Sequence, residues 1–309
     1  MTVEVGVVVV THDRIDDLRT CLHALGRQTR PPDLVLVVDN ASADGSSRMV
    51  LNEFPGVAVD TLPRNLGGAG GFAHGLERLM QAGVDYGWLM DDDAIPSPQA
   101  LERLVASMVH PRAGAPAFVA SLVVGEAGVR DQRTRNPPVL KGIRPSDCPP
   151  GTYAASYATF VGVLVDLAIA RTTWLPMTDF RWLWDDTEYT ARLERLSGRG
   201  LVCVGSRVRH PATLDPISGA RMRCAVRNTC WMLKHRRLGS VSARRRAWHV
   251  LRMLATKDLR RSDAKLRDVA CYAFGFLEAL VRVPRRSWPR LDVAPDRRPV
   301  RGPAVDPGR

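Results

Sequence analysis

The sequence has few cysteines, and their spacing is not that of a zinc ribbon or of a small protein stabilised by disulfide bonds. It has six cysteines, Cys21, Cys148, Cys203, Cys224, Cys230 and Cys271. No two of them have the C-x-x-C spacing of a zinc ribbon or a redox motif. Met1 leads straight into VEVGVVVV, without the charged region and cleavage site of a secretory signal. We therefore expect free thiols in a reducing, cytoplasmic compartment.

The basic C-terminal region also lacks a long hydrophobic run. Its longest uncharged stretch, residues 269–277, has nine residues, about half of the roughly 20 that a membrane-spanning helix requires. Residues 234–309 contain 20 Lys and Arg against 7 Asp and Glu, whereas residues 1–233 contain 24 against 25. The net charge of +12 therefore belongs to the C-terminal region. A nucleic-acid-binding domain more often spreads basic charge over its folded face, so this asymmetry favours an attached surface-binding segment.

These shifts in composition predict the domain boundaries. We expect a main domain over residues 1–233, a basic amphipathic helical extension over 234–283, and a disordered Arg/Pro-rich tail over 284–309. In SARRRAWHVLRMLATKDLRR, apolar residues share one helical face among arginines. Such helices are typical of segments that lie on an anionic membrane surface.

The first 112 residues alternate between apolar strands and amphipathic helices. VEVGVVVV at 3–10, LVLVVDN at 34–40, VAVDTL at 57–62 and DYGWLM at 85–90 are typical of strands, and a helical segment follows each one. Continuous β-branched runs such as the first indicate strands buried on both faces of a parallel sheet. The alternation predicts an α/β fold with a mostly parallel sheet flanked by helices.

Polar residues follow each of these strands at the point where it ends. They are Thr11 after the first strand, Asp39 after the second, Arg64 and Asn65 after the third, and Asp91, Asp92 and Asp93 after the fourth. Ligands of open α/β sheets bind at the carboxyl ends of the strands. The sequence therefore predicts that these side chains gather at one edge of the sheet.

The three consecutive aspartates, Asp91–Asp93, pose an electrostatic problem. Carboxylates this close repel one another and raise each other's pKa unless positive charge lies among them. A solvated acidic turn is the commonest fate of a short acidic run, but this run directly follows a buried strand. Hard oxygen ligands there suit Mg²⁺ or Mn²⁺, which bind one or two carboxylates plus substrate phosphates, and the cation would keep the carboxylates ionised. We predict a divalent metal that binds the phosphates of a substrate.

A glycine-rich stretch, NLGGAGGFAHG at 65–75, matches the spacing of the dinucleotide fingerprint at Gly68, Gly70 and Ala73. That fingerprint belongs at the first strand–helix turn, which here is THDR and contains no glycine. A flexible linker is the plain alternative, yet the stretch runs straight into a helical segment. Glycines at a helix N-terminus let backbone N–H groups approach a phosphate or sugar, so we predict a ligand-facing loop.

The second half of the main domain contributes a further acidic cluster. Residues 125–151 are rich in Gly, Pro and charge and predict a long loop or lid. WDDTE at 184–188 then begins an amphipathic helix, and a carboxylate on the first turn of a helix is rigidly aimed, as a general base must be. His210 follows a strand-like segment. A lone histidine is more often structural, but in a chain that requires a metal it is a candidate ligand.

In this order and spacing, the motifs resemble the inverting GT-A glycosyltransferases of glycosyltransferase family 2. The resemblance covers about residues 3–235 and rests on VVVVTHDR, VVDNASADGS, RNLGGAGGF, WLMDDDAIP, WDDTEY, RH and RNTCWML. NLGGAGGF together with the aspartate triplet and W-D-D-x-E is most similar to the initiating galactofuranosyltransferases of bacterial cell-wall galactan. Rhamnosyltransferases that use dTDP-sugars are the neighbouring alternative.

The resemblance implies a role for each candidate residue. The nucleotide sugar would be bound by Thr11, Asp39, Arg64, Asn65, Gly67, Gly68 and Asp92, and Mn²⁺ or Mg²⁺ by Asp91, Asp93 and His210. Asp186 would be the catalytic base, and Trp184, Asp185 and Glu188 would bind the acceptor. The donor half would span about residues 1–112 and the acceptor half about 113–233.

The resemblance also implies partners and a location. The donor would be UDP-galactofuranose, the acceptor a polyprenyl-diphosphate-linked saccharide, and the enzyme would lie at the inner face of the cell membrane through its basic extension. No nucleic-acid partner is expected. Galactan-polymerising relatives carry an extra N-terminal β-rich domain, so a sequence that starts on the first strand favours addition of one or two residues. A non-catalytic protein that binds nucleic acid or anionic lipid is the remaining alternative, and it leaves the acidic motifs unexplained.

Overall fold

A computed structural model of the chain describes residues 3–111, 114–125, 145–211, 217–234, 241–258 and 265–289. Its strands are β1 (Val5–Thr11), β2 (Leu34–Asp39), β3 (Ala58–Thr61), β4 (Tyr86–Asp91), β5 (Ile95–Pro96), β6 (Phe118–Val124), β7 (Thr152–Ala154), β8 (Val163–Asp166) and β9 (Gly200–Arg209). Its α-helices are α1 (Ile15–Leu25), α2 (Ser46–Glu53), α3 (Gly67–Ala82), α4 (Ala100–Met108), α5 (Leu167–Ala170), α6 (Asp185–Ser197), α7 (Gly219–Lys234), α8 (Val241–Met253) and α9 (Lys265–Val281).

Within the described residues, the strands form one mixed sheet in the order β3-β2-β1-β4-β8-β6-β9-β5, with β7 paired to β9. β1 lies between β2 and β4, and the first four strands run parallel. β8 is inserted antiparallel between β4 and β6, and β6 is parallel to β9. The longest ladders are the parallel ones, so the predicted α/β fold with a mostly parallel sheet is confirmed.

The sheet has a hydrophobic layer on each face, as its alternating side chains require. Residues of α1, α2 and α4, including Leu18, Met49 and Leu104, pack on one face against Val7 and Val9 of β1. Side chains of α3, α5 and α6 cover the opposite face, where Val8 and Val10 lie. Because both faces are covered, β1 is buried along its whole length, which explains its continuous valine run.

The glycines of α3 serve helix–sheet packing more than ligand binding. The helix already begins at Gly67, so most of the stretch predicted as a ligand-facing loop is helical. A methyl group added at Gly75 would overlap Val8, and one at Gly71 would lie 2.5 Å from a γ carbon of Val10. The prediction is corrected for these two positions: α3 carries glycine there because its backbone lies directly on β1.

The basic region forms helices that pack on the main domain. α9 lies along α7, and the buried Asp268 of α9 accepts a 2.7 Å hydrogen bond from Gly219 N at the start of α7. Residues 284–289, expected to belong to the disordered tail, continue along the domain instead, where Ser287 O accepts a 2.8 Å bond from Leu175 N. Residues 290–309 of that tail and 126–144 of the expected lid lie outside the described residues.

None of the helices in the described ranges combines the length and the apolar character needed to cross a bilayer.

The close contact between α3 and β1 predicts the effect of Gly75→Ala. The added methyl group overlaps Val8, and overpacking of this kind costs about 1–3 kcal/mol of unfolding free energy. We expect a lower midpoint in urea denaturation. Gly26→Ala is the matched control, because a methyl group there meets only ordinary contacts at 3.6 Å and beyond. Equal midpoints for the two variants would contradict the packing role of Gly75.

Candidate metal and catalytic site

The parallel register brings the predicted polar residues to one edge of the sheet. Thr11, the last residue of β1, pairs with Asp39, the last residue of β2. On the other side of β1, Val10 pairs with Asp91 at the end of β4. The carboxyl ends of all three strands therefore lie side by side, as the strand–helix alternation predicts.

Asp91, Asp93 and His210 offer three ligand atoms that all lie within 4.8 Å of one another. An antiparallel strand pairing brings them together. β5, just after the aspartates, pairs with the end of β9, where Ile95 lies opposite Arg209. His210 is the next residue, and its backbone N–H donates to Val124 O at 3.0 Å. The pairing of β5 with β9 therefore places His210 beside the aspartates, although these residues are far apart in sequence.

The hydrogen bonds of His210 show that this cluster suits a cation. Its Nδ1 lies 2.7 Å from Pro211 O, which can only accept, so Nδ1 carries the proton. In the neutral ring, the lone pair of Nε2 then faces Asp93 Oδ1 at 2.9 Å, a buried oxygen with no other donor. Two lone pairs at this distance repel unless a proton or a metal ion lies between them. Carboxylates suit Mg²⁺ and Mn²⁺, and the imidazole nitrogen favours Mn²⁺ of the two.

Thr11 at the end of β1 and Arg14 in the turn that follows contact Asp92 and Asp93, and the guanidinium of Arg14 offsets part of their charge. Thr11 Oγ1 donates to Asp92 Oδ2 at 2.8 Å. Arg14 Nη1 lies 2.8 Å from Asp93 Oδ2 and 3.5 Å from Asp92 Oδ1. Burial raises the pKa of Asp92 to about 7 despite these contacts. Burial also opposes ionisation of Asp93, but His210 and Arg14 outweigh it and lower the pKa of that carboxyl.

Arg14 was not singled out in the sequence. Its partners, Asp92 and Asp93, lie far along the chain, so local pattern does not pair them. The signal that could have found it is charge balance, because three buried or half-buried carboxylates require a cation. Of the charged residues in the turn after β1, Arg14 is the one basic group that carries a permanent charge.

The predicted nucleotide-sugar residues lie along the same edge. Asp39 accepts bonds from Ser42 N at 2.8 Å and from the Ser47 hydroxyl. Asn65 Oδ1 accepts a 2.7 Å bond from Gly67 N and so shapes the start of α3. The structure brings Thr11, Asp39, Asn65, Gly67 and Gly68 together there, with Arg64 exposed next to Asn65.

Asn40, which follows Asp39, connects the end of β2 to this loop. Its Nδ2 donates to Gly67 O at 3.0 Å, and its Oδ1 accepts from Leu66 N at 3.1 Å. The side chain is buried, so it holds the loop before α3 against the sheet edge.

The start of α6 places two carboxylates next to the start of α3. A Cβ at Gly68 would lie 3.7 Å from Asp185 Oδ2. Asp185 is buried, and burial together with the neighbouring charge of Asp186 raises its pKa. Asp186 is half-buried and accepts a bond from Thr187 N. Environment therefore separates the two acids: Asp185 favours the neutral form, while the more exposed Asp186 can carry the charge.

Two residues expected to bind the acceptor make hydrogen bonds to other side chains of the protein. Trp184 is buried, and its Nε1 donates to Thr229 Oγ1 at 2.9 Å. Glu188 is fully buried, and its two oxygens accept from Arg192 Nε and Nη2 at 2.9 and 3.0 Å. Such a bidentate pair satisfies the carboxylate completely. Both side chains are therefore buried and paired within the protein, and their contact with an acceptor sugar stays a prediction.

The geometry of the metal cluster predicts which side chains bind Mn²⁺. We expect Asp93→Asn and His210→Ala each to weaken Mn²⁺ binding by more than about tenfold, since even the loss of an outer partner of a metal ligand has this effect. Isothermal titration with Mn²⁺ alone measures it. Asp16→Asn is the control, because Asp16 is an exposed carboxylate of α1 that pairs with Arg19. Unchanged Mn²⁺ affinity in Asp93→Asn would rule out this cluster as the metal site.

Solved structures with a similar fold are those of nucleotide-sugar enzymes. GalNAc-T7 with UDP, GalNAc and Mn²⁺ has a TM-score of 0.56 at 16% identity, over 73% of this chain and 47% of that one. TarS of S. aureus with UDP has a TM-score of 0.52 at 15% identity, over 89% and 71%. The mannosyltransferase PcManGT of Pyrobaculum calidifontis with GDP-Man and Mn²⁺ gives 0.52 at 15%, over 91% and 76%. At this identity the likeness concerns the fold alone, and it confirms the GT-A fold.

Sequence comparison points to the same group of proteins. Galactofuranosyltransferase GlfT1 of Mycobacterium tuberculosis is 46% identical over 95 residues, 30% of this chain and 31% of the relative. GlfT1 of Mycolicibacterium smegmatis is 39% identical over 104 residues, 33% and 34%. The chain thus matches about a third of the length of these relatives. The sequence profile described as "Glycosyl transferase family 2" matches residues 6–160, and the chain therefore belongs to glycosyltransferase family 2.

Proposed function

We propose that the chain is an inverting, divalent-metal-dependent glycosyltransferase that transfers galactofuranose from UDP-galactofuranose to a polyprenyl-diphosphate-linked saccharide in cell-wall synthesis. The observation that carries the proposal is a pair of acidic clusters, one at the carboxyl end of β4 and one beside the start of α3. The first contains Asp91, Asp93 and His210, and the second is Asp185–Asp186 at the start of α6. The partial similarity to GlfT1 supports galactofuranose as the sugar.

The donor site is formed by the ends of β1 and β2 and by the start of α3. In this proposal, Thr11, Asp39 and Asn65 bind the nucleotide, with the exposed guanidinium of Arg64 nearby. The backbone N–H groups of Gly67 and Gly68 lie at the N-terminus of a 16-residue helix, where anions are favoured. Asp92, which Thr11 holds, faces the ribose or the sugar.

In this proposal, the diphosphate of the donor binds beside the cluster of Asp91, Asp93 and His210. Asp91, Asp93 and His210 would hold Mn²⁺ or Mg²⁺, which when bound would supply Lewis-acid neutralisation of the charge that develops on the departing UDP. Arg14, already 2.8 Å from Asp93, keeps a positive charge beside the same carboxylates. With a metal ion bound, the two positive groups would offset the carboxylates, so that the diphosphate, which gains a further negative charge as UDP departs, can approach this acidic corner.

Asp186 is the proposed general base. It removes the proton from the acceptor hydroxyl while that oxygen attacks the anomeric carbon from the face opposite to UDP. A single displacement inverts the carbon and requires no enzyme nucleophile. Asp185, whose pKa is raised by burial, is suited to donate a hydrogen bond rather than to take the proton.

The proposed base predicts the behaviour of Asp186→Asn. We expect kcat for UDP release from UDP-galactofuranose, with a synthetic polyprenyl-diphosphate disaccharide as acceptor, to fall by about 10²- to 10⁴-fold, the usual contribution of general-base catalysis. UDP affinity should stay unchanged, because the variant retains the donor site. Asp16→Asn, on an exposed aspartate of α1 that pairs with Arg19, controls for loss of a carboxylate away from the turn before α6.

Two results would contradict the proposal. Undiminished turnover in Asp186→Asn would remove the base. Preference for dTDP-rhamnose in a competition assay with UDP-galactofuranose would instead favour the rhamnosyltransferase alternative.

The outer face of α9 is the proposed membrane contact. Seven large apolar side chains of this helix are exposed: Leu266, Val269, Phe274, Phe276, Leu277, Leu280 and Val281. At about 100° per residue they lie within one arc of roughly 160°, and the acids Asp268 and Glu278 point to the buried side. An apolar face of this extent marks an interaction surface.

The charge around this face indicates an anionic partner. Between residues 234 and 289, every exposed charged side chain that the structure describes is basic: Lys234, Arg245, Arg252, Lys265, Arg267, Arg282, Arg285 and Arg286. A second copy of the chain would be repelled by the same charges. An anionic leaflet would attract them, at about 1 kcal/mol for each residue near the surface, which supports a location at the inner face of the cell membrane.

The apolar face predicts vesicle binding that depends on α9. Against phosphatidylglycerol-containing vesicles, Phe274→Asp/Leu277→Asp should bind at least about tenfold more weakly in a sedimentation assay, since each buried side chain contributes about 1.5–3 kcal/mol. Leu51→Asp, at an exposed leucine on α2, is the matched control. Equal vesicle binding by the double variant, or a dimer that the double variant dissociates, would contradict the assignment.

A further inference from the structure

The turn that precedes the proposed base has an unusual backbone. Arg181, Leu183 and Trp184 have φ values of 53°, 70° and 76°, a left-handed region that L side chains rarely adopt. Asp185 and Asp186 follow directly. A non-glycine residue remains in this conformation only where the surrounding structure enforces it, so other residues must hold the turn.

One side chain, Asn228 of α7, reaches three carbonyl groups of this turn. Its Nδ2 lies 2.7 Å from Phe180 O, 2.9 Å from Trp182 O and 3.0 Å from Leu183 O. Asn228 is fully buried, so these bonds are shielded from water. The next residue, Thr229, accepts the indole N–H of Trp184. Two neighbouring side chains of α7 thus contact almost the whole turn.

Arg227 fixes the direction in which Asn228 points. Its Nε and Nη2 donate to Asn228 Oδ1 at 3.1 and 3.0 Å, which leaves the Asn228 amide protons for the turn. Arg227 Nη2 also donates to Asp179 O, at the beginning of the turn. The arrangement therefore depends on where Arg227 is held.

A carboxylate of α9 holds Arg227. Glu278 Oε1 lies 3.3 Å from Arg227 Nη1, and Oε2 lies 2.9 Å from Arg223 Nε. Burial opposes ionisation of Glu278, but its arginine partners outweigh this and lower its pKa. Contacts thus run from α9 through Arg227 and Asn228 to the turn before α6.

The same turn touches the start of α3, where the donor is proposed to bind. Ala69 N donates to Arg181 O at 3.3 Å, and a methyl group at Gly67 would overlap the Arg181 backbone. We infer that Asn228 is a positioning residue that sets the place of Asp186 relative to the donor, with Glu278 as its support. This inference rests on the proposed role of Asp186 as base.

Asn228→Asp tests the inference, because it keeps the shape of the side chain but replaces two donor protons with an acceptor that faces three carbonyls. We expect kcat for transfer from UDP-galactofuranose to fall about 10- to 100-fold, as a small misplacement of a catalytic group does. KM for the donor and the dissociation constant of UDP with Mn²⁺ should stay within about twofold. Hydrogen exchange should become faster in residues 180–188 but not in β1.

Three comparisons keep the test decisive. Asn52→Asp makes the same substitution on the exposed surface of α2, and Met108→Ala removes core packing on α4; neither should show the split between kcat and KM. If Asn228→Asp does not fold, Glu278→Gln should show the same pattern to a smaller extent.

Unchanged exchange in residues 180–188, or a parallel loss of UDP affinity and kcat, would overturn the inference. If the wild-type chain transfers no sugar, the proposed function fails, and the exchange measurement still decides whether Asn228 orders the turn.

Discussion

Repulsion among the carboxylates at the end of β4 is the constraint around which the site is organised. Asp92 and Asp93 are buried, and the structure balances them with Thr11, Arg14 and His210, which come from the β1–α1 turn and from the end of β9. Burial raises the pKa of Asp92, whereas His210 and Arg14 lower the pKa of Asp93. Arg14 supplies part of the positive charge that such closely spaced carboxylates require.

A second constraint is the conformation of the turn that leads into α6. The left-handed residues of this turn bring the helix N-terminus, with Asp185 and Asp186, beside the start of α3. Helix N-termini favour negative charge, and two of them meet here, so the corner can accommodate both an anionic donor and a charged base. Buried hydrogen bonds from Asn228 offset the unfavourable backbone of the turn.

α9 connects this corner to the surface of the molecule. Its polarity is the reverse of a normal surface helix, with Asp268 and Glu278 buried and a row of apolar side chains exposed. The buried acids pair with the start of α7 and with the arginines of α7, and Tyr272 and Ala279 of α9 also pack in the apolar clusters that include residues of α7. The apolar residues on its outer face are exposed, and the helix proposed to contact a membrane also supports the turn that precedes α6.

The parallel α/β core and the proximity of Thr11, Asp39 and the aspartate triplet follow from local sequence patterns. Valine runs and strand–helix alternation are local signals, and parallel strands necessarily align their carboxyl ends. The family motifs further pointed to Asp186 and His210. The sequence does not distinguish a packing role from a ligand-binding role for the glycines of α3, because close contact with β1 and flexibility at a ligand both favour glycine. The pairing of Glu188 with Arg192 was not predicted, because it depends on packing on the buried side of α6.

Three features are apparent from the three-dimensional structure and not from local sequence patterns. They are the antiparallel insertion of β8, the pairing of Arg14 with Asp93 and the hydrogen bonds from Asn228 to the turn before α6. Each of these joins residues that are far apart in sequence, by 79 positions for Arg14 and Asp93 and by 45–48 for Asn228 and its carbonyls. The local sequence pattern specifies whether a residue lies in a helix or a strand. The hydrogen-bond partner of a buried polar side chain depends instead on how the helices and strands pack, because leaving such a group unpaired costs free energy.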